Sequence, residues 1–117
     1  MPIIDRVRAI EIRKELKKNK KLVGFTSGTF DLLHSGHVEY LTRAKESCDY
    51  LFVGLNSDSS VKKYKSADRP IVDEYSRAEV LSALKSVDAV FLFDEKNNNE
   101  NIKLLEPDIY IKAGDYK

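Results

Sequence analysis

At 117 residues, 42% apolar and 33% charged, the chain has material for one hydrophobic core and not for two. Its 20 Lys and Arg against 19 Asp and Glu leave a net charge of +1, so charge alone implies no nucleic-acid partner. One cysteine, Cys48, excludes a disulfide framework and a multi-cysteine zinc site; with no apolar run near the ~20 residues that cross a bilayer and no signal-peptide core at the start, a cytoplasmic protein without a membrane partner is expected.

Ile3, Ile4, Val7, Ile10 and Leu16 recur in steps of three and four and predict an amphipathic helix over 3–18. Arg13, Lys14, Lys17 and Lys18, then Lys20 and Lys21, complement a helix dipole and lack interleaved aromatics, so they read as a solvated helix end. Residues 1–20 are thus expected to form an N-terminal helix and linker ahead of a domain over 21–117. Residues 22–27 show no polar alternation and predict a strand covered on both faces, as in a parallel sheet. A helix over about 36–47 follows, with Cys48 near its end as a small buried thiol. Tyr50 to Leu55 predict a second strand ending in Asn56-Ser57-Asp58, then a short helix through Val61 and Tyr64. In the charged stretch from Lys62 to Pro70, Pro70 biases Arg69 toward extended geometry, which argues for a connection. Asp73 to Leu84 predict a helix with acids in its first turn and Val80, Leu81 and Leu84 on one face. Ala89 to Phe93 predict a third strand, Asn97 to Asn99 a turn, and Ile102, Leu104 and Leu105 a short helix stopped near Pro107. Asp108 to Lys112 predict a fourth strand, with Ala113-Gly114-Asp115 at its end.

The order α-β-α-β-α-α-β-α-β argues for a doubly wound, parallel α/β sheet. Ligands of such sheets bind beyond the carboxyl ends of the strands, where strand order reverses. Three of the predicted ends carry distinctive polar groups: Thr29 to His37, Asn56 to Asp58, and Lys112 to Asp115. The first is the most informative. Gly28-Thr29-Phe30-Asp31-Leu32-Leu33-His34-Ser35-Gly36-His37 joins a strand to a helix, where free N–H groups and the helix dipole favour an anion. In His34-Ser35-Gly36-His37, glycine allows close approach of backbone to a phosphate and the imidazoles can hydrogen-bond its oxygens. Fixed donors there would stabilise the charge that grows on an α-phosphate under attack, and a phosphate co-substrate would bring its own nucleophile. Two other readings stand beside this one: His34 and His37 with Asp31 as ligands of a catalytic zinc, without the dedicated metal signatures, and histidines with a structural role only. Lys65, Arg69 and Arg77 could meet further phosphate charge, although charged loop residues are commonly just solvated.

The segment Gly28 to His37 resembles the signature of the HxGH nucleotidylyltransferase superfamily, cytidylyltransferase-like branch, and the likeness runs from about Leu22 to the C-terminus. Within it the chain is most similar to the adenylyltransferase domain of ADP-heptose synthases, through Asn56-Ser57-Asp58, Lys65 to Pro70 with Arg77, and Ile111 to Tyr116. The resemblance implies a single Rossmann-like domain. It also implies transfer of NMP from an NTP, ATP or CTP, to a phosphorylated sugar or polyol with release of pyrophosphate. Heptose 1-phosphate adenylylation, a reaction of lipopolysaccharide biosynthesis, comes first among these. Mg²⁺ would enter with the NTP, held by phosphates and water, with no metal held by the protein. By the same resemblance His34 and His37 contact the nucleotide phosphates, and Lys65 bridges the phosphates of the two substrates as a third catalytic residue. Gly28, Thr29, Phe30, Gly36, Lys112, Gly114 and Asp115 complete the nucleotide site, and Asp31, Asn56, Asp58, Arg69 and Arg77 join Lys65 on the acceptor side.

Asp94-Glu95-Lys96-Asn97 is more similar to the glycerol-3-phosphate cytidylyltransferases, where a lysine meets the acceptor. That adds Lys96 to the acceptor side and makes a cytidylyltransferase of that type the alternative. Ser66 stands where the heptose group has glycine. Family members continue into a further strand and a helix opened by a serine/threonine-rich triphosphate motif, which are expected to be lacking after Lys117. A nucleotide-binding module without turnover is therefore the alternative from another class. A homodimer is expected.

Overall fold

A computed structural model of the chain describes residues 3–64 and 68–112. Among them the elements run α1 (Arg6–Lys18), β1 (Val23–Gly28), α2 (Ser35–Glu46), β2 (Tyr50–Asn56), α3 (Asp58–Tyr64), α4 (Glu74–Ser82), β3 (Ala89–Phe93), α5 (Asn99–Leu105) and β4 (Ile109–Tyr110), in the order predicted. The strands pair in parallel as β3-β2-β1-β4. The chain winds outward from β1 to β3 and returns to lay β4 on the other side of β1. Strand order therefore reverses between β1 and β4, the doubly wound, Rossmann-like arrangement.

Both faces of the sheet are covered because successive strand residues point to opposite sides. Leu51, Val53 and Leu55 of β2 join Val90 and pack under Tyr40, Leu41 and Ala44 of α2 and Ala78 and Leu81 of α4. Phe52, between them in sequence, joins Phe25, Phe91, Ala9 of α1 and Leu105 of α5 in a second core on the opposite face. Phe25 stacks on Phe91 with centroids 5.8 Å apart and on Tyr110 at 5.9 Å. Gly24 has no room for a side chain: a Cβ there would lie 2.7 Å from the Sγ of Cys48. That thiol is half-buried, and burial pushes its pKa up, as an inert packing group requires.

Four details depart from the predicted elements. Helix α1 begins later, since Ile3 bridges to Val90 and the Ile4 N–H donates to the Val90 carbonyl at 2.9 Å; Asp5 then caps the helix through the Arg8 N–H at 2.7 Å. Helix α4 buries Arg77, Ala78 and Leu81, while Val80, expected on the inner face, is 47% exposed. Strand β4 is shorter than residues 108–112, covering only Ile109 and Tyr110, with the flanking Asp108 and Ile111 N–H groups donating to the Val23 and Phe25 carbonyls of β1 at 2.9 Å each.

The fourth concerns Arg13, which is not part of a solvated helix end but 7% exposed. Its Nε donates to the Leu105 carbonyl at 3.1 Å and its Nη2 to the Glu106 carbonyl at 2.8 Å, so it satisfies the carbonyls that α5 leaves open at its end. Asp108 lies 3.3 Å from Nη1 and accepts the Val23 N–H at 2.8 Å. One guanidinium and one carboxylate thus join α1, the end of α5 and the start of β1. The Val23 amide, with Arg13 beside it, holds the Asp108 carboxyl below its usual range despite the opposing effect of burial.

Acid therefore weakens this junction. Asp108 binds its proton more weakly folded than unfolded, so its stabilisation is complete above the unfolded value near 3.8 and is lost as pH falls through the lower native value. Arg13→Ala should cost about 2–4 kcal/mol in urea unfolding near neutral pH, less than for a fully buried pair because Asp108 keeps some contact with water. Asp108→Asn should make the acid limb of stability shallower. An unchanged midpoint in Arg13→Ala and an unchanged acid limb in Asp108→Asn would contradict this account.

Candidate active site

Beyond Gly28 the chain leaves β1, turns through Thr29 and Phe30, and enters α2 at Ser35 with His34 as the N-cap. His34 Nδ1 accepts the Gly36 N–H at 3.0 Å, and His37 Nδ1 accepts the His34 N–H at 3.2 Å. Two imidazoles therefore perform the reciprocal capping done elsewhere by a Ser/Thr and Glu pair. A ring nitrogen that accepts an N–H bond carries no proton, so each neutral ring is protonated at Nε2, and that N–H is left as a donor. The rings lie 4.1 Å apart, and burial, then the charge of His34, holds the His37 pKa below its usual value near 6.5. His37 is thus a neutral donor at pH 7. Gly36 is demanded by the cap itself, because a Cβ would sit 2.8 Å from His34 Cε1.

Phe30, expected along the nucleotide, has its ring in the core shared by α2 and α4, 7% exposed, with the His37 ring meeting it at an angle 5.5 Å away. Its φ of 48° is left-handed, a conformation that costs a bulky residue roughly 1–3 kcal/mol. Core packing of the ring holds it there, and through it His37 has a wall to rest on. Gly28 lies beneath, where a Cβ would come 3.0 Å from the Phe30 ring.

Arg77, expected to add charge near the phosphates, is instead 2% exposed and fully engaged inside the protein. Nε donates to the Val72 carbonyl at 2.8 Å, Nη1 to the carbonyls of Thr29 and Asn56 at 2.8 Å each, and Nη2 to Asp58 at 2.7 Å. It clamps the ends of β1 and β2 to the segment before α4. Asn56 and Asp58 are gathered there as its partners: the Asn56 amide donates to Ser60 at 3.0 Å, and the Asp58 N–H donates to Glu74 at 2.8 Å. The Asp31 carboxylate accepts the backbone N–H groups of Ile71 and Val72, each at 2.8 Å at its shortest. Arg69, 3.6 Å from Asp31, keeps 46% of its side chain exposed.

The loop and the β2 end thus bring Gly28, Thr29, Phe30, Asp31, His34, Gly36, His37, Asn56, Asp58, Arg69 and Arg77 to one edge of the sheet. Lys112 is exposed just past β4, and Lys96 is exposed just past β3, on the turn before α5. Lys65, Gly114 and Asp115 lie outside the described residues. Among the described residues no group of three or more His, Cys, Asp and Glu is placed to hold a metal ion, and no helix is long and apolar enough to cross a membrane.

Sequence reasoning missed two ties across the switch point. Asn98, in the predicted turn and at the N-cap position of α5, makes no side-chain cap; its amide donates to Ser27 Oγ at the end of β1 and to the Tyr110 hydroxyl of β4 at 3.2 Å. Its carbonyl is held by buried Asn101, which in turn accepts from Arg6 at 2.9 Å. On the other face the Tyr40 hydroxyl meets Thr26 Oγ1 at 2.5 Å and donates to the Ile111 carbonyl at 3.1 Å. The run of three asparagines was the available signal, since a run so polar needs partners when it sits at a strand edge.

The cytidylyltransferase-like family model matches residues 25–117. The chain is 52% identical over 106 residues to the bifunctional protein HldE of a Nitratiruptor species, covering 91% of this chain and 23% of that one. To the bifunctional protein HldE of Caulobacter vibrioides it is 50% identical over 114 residues, 97% of this chain and 24% of that one. It therefore spans less than a quarter of the length of these relatives. Among solved structures it is similar to the lipopolysaccharide core biosynthesis protein from Thermoplasma volcanium, with a TM-score of 0.69 and 34% identity over 77% of this chain and 72% of that one. It is also similar to the pantoate-beta-alanine ligase from Francisella tularensis complexed with beta-gamma ATP and beta-alanine, with a TM-score of 0.59 and 26% identity over 86% of this chain and 38% of that one.

Two outcomes are expected of this geometry. Imidazole ¹⁵N spectra at pH 7.5 should show both rings protonated at Nε2; a proton on either Nδ1 contradicts the cap. Arg77→Met should lose about 3–5 kcal/mol in chemical unfolding, because three carbonyls and Asp58 lose their donor together. A loss under about 1 kcal/mol would mean that the clamp is dispensable.

Proposed function

The chain belongs to the cytidylyltransferase-like family of nucleotidyltransferases, and we propose that it transfers NMP from an NTP to a sugar or polyol phosphate, with ATP and heptose 1-phosphate as the first pair. The observation that carries this reading is the imidazole cap, which leaves two Nε2–H donors and the start of α2 at the carboxyl edge of the sheet. In the reaction an acceptor phosphate oxygen forms a bond to the α-phosphorus of the NTP. The bond to the bridging oxygen breaks, and pyrophosphate leaves with the electron pair. Charge rises on the non-bridging oxygens as this happens, and donors fixed in advance stabilise it more than they stabilise the ground state. No nucleophile from the protein is needed. Arg69, exposed at the same edge, supplies charge for a further phosphate.

Mg²⁺ would accompany the triphosphate and supply charge neutralisation there, without a ligand set from the protein. The carboxylates of Asp31 and Asp58 are occupied by internal donors, which suits an ion that the protein does not itself hold. Preference for ATP and heptose 1-phosphate is supported by the resemblance to the adenylyltransferase domain of ADP-heptose synthases and by the similarity to a lipopolysaccharide core biosynthesis protein. A cytidylyltransferase acting on a small polyol phosphate is the second reading, favoured by Lys96, which lies exposed beyond β3. A cytoplasmic homodimer is part of the same proposal.

Incubation of the chain with ATP or CTP and each phosphorylated acceptor should release pyrophosphate, fastest with ATP and heptose 1-phosphate. Calorimetric binding of the NTP with no release across the panel would leave a binding module in place of an enzyme. His37→Ala should lower kcat about 10²–10³-fold, the effect of removing one preorganised donor. Turnover equal to wild type would remove His37 from the mechanism.

A further inference from the structure

Asp31 lies in the loop between β1 and α2, three residues before His34, with 11% of its side chain exposed. Oδ1 accepts the Ile71 N–H at 3.0 Å and the Val72 N–H at 2.8 Å, and Oδ2 accepts the Ile71 N–H at 2.8 Å. Arg69 Nη1 stands 3.6 Å from Oδ2. That is too long for a hydrogen bond, so the attraction orients the guanidinium without using up its donors.

The segment held in this way has little else to hold it. Residues 69–72 belong to no helix or strand, and Ile71 is 62% exposed, so apolar burial does not fix them. The other described bonds run from Arg77 Nε to the Val72 carbonyl at 2.8 Å and from Lys62 Nζ to the Arg69 carbonyl at 3.3 Å. Both reach carbonyls; the adjacent N–H groups of Ile71 and Val72 rely on Asp31. A direct part in substrate binding, expected for Asp31 from the sequence, also fits poorly with charge: both substrates of nucleotidyl transfer are anions, and a bare carboxylate would repel them. Here its charge is absorbed by two amides and an arginine. Burial alone would raise its pKa, but the Val72 and Ile71 amides, then Arg69 and Arg77, outweigh that and keep it below the usual value.

We propose that Asp31 is a positioning residue, which touches no substrate and registers the Arg69–Val72 segment, and with it the Arg69 guanidinium, against the loop that carries His34 and His37. The latch itself is a property of the fold; only the phosphate that Arg69 meets rests on the nucleotidyl-transfer reading.

Two measurements test it. In the full chain without substrate, Asp31→Asn should speed hydrogen exchange at the Ile71 and Val72 amides about tenfold or more, with the amides of β1, β2 and α2 unchanged as the control for folding. Asp31→Ser serves if the asparagine variant fails that control. In pyrophosphate-release kinetics, Asp31→Asn and Arg69→Ala should each raise KM for the phosphorylated acceptor or the NTP by about tenfold while changing kcat less. The double variant should be no worse than Arg69→Ala, because Asp31 acts through the segment that carries Arg69. Unchanged exchange at Ile71 and Val72, or losses that multiply in the double variant, would overturn the proposal. If the wild-type chain releases no pyrophosphate, the transfer reading fails by itself, and the same cycle is read on calorimetric affinity for pyrophosphate.

Discussion

A buried guanidinium is costly unless every face of it finds a partner, and Arg77 meets that demand with main-chain carbonyls at places where regular structure stops. Thr29 follows the last residue of β1, Asn56 is the last of β2, and Val72 precedes the cap of α4. Two of these carbonyls lie where strands end and the third just before a helix begins, and all three converge on one cation. Asp58 neutralises it from the side that reaches water. The loop with the two histidines is thus anchored to its neighbours by a residue that never needs to meet a ligand.

The histidine loop is fixed from three directions. From below, the ring of Phe30 is sunk in the core and meets His37. From the helix side, each imidazole accepts a backbone N–H at the start of α2. From the β2 side, Arg77 holds Thr29. The crevice between β1 and β4 is braced separately on each face of the sheet, by Tyr40 over Thr26 and Ile111 and by Asn98 over Ser27 and Tyr110. Such bracing matters because β4 is a strand of only two residues. Preorganisation of this kind is what electrostatic catalysis requires, since donors that must first reorient stabilise a transition state less.

Much of the fold was legible in the sequence because burial on two faces leaves a plain mark: runs such as Tyr50 to Leu55 with no polar alternation. Alternation of those runs with helical periods fixed the class, and the H-x-G-H stretch pointed to the carboxyl edge of β1. Partners of the polar residues were not legible. Arg13 and Arg77 look like any other cations in a charged sequence, and what removed them from solvent was the nearness of carbonyls far along the chain, those of Leu105 and Thr29 among them. Asp31 hid its role for the same reason, since Ile71 and Val72 offer it backbone groups that no side-chain pattern records. Val80 was misplaced because α4 turns a buried arginine inward, displacing the apolar stripe by a position.

One consequence of the imidazole cap concerns which chemistry the two rings can perform. A proton added to either ring must go to Nδ1, the atom that holds the first turn of α2. Becoming cationic and remaining seated are therefore mutually exclusive for these histidines. A ring that cycled through its charged form would give up its bond to the first turn of α2 each time, the loss of a helix cap at about 0.5–2 kcal/mol. In this loop the helix start acts as a tautomer lock: the same two bonds that begin α2 keep Nδ1 of His34 and of His37 occupied as acceptors.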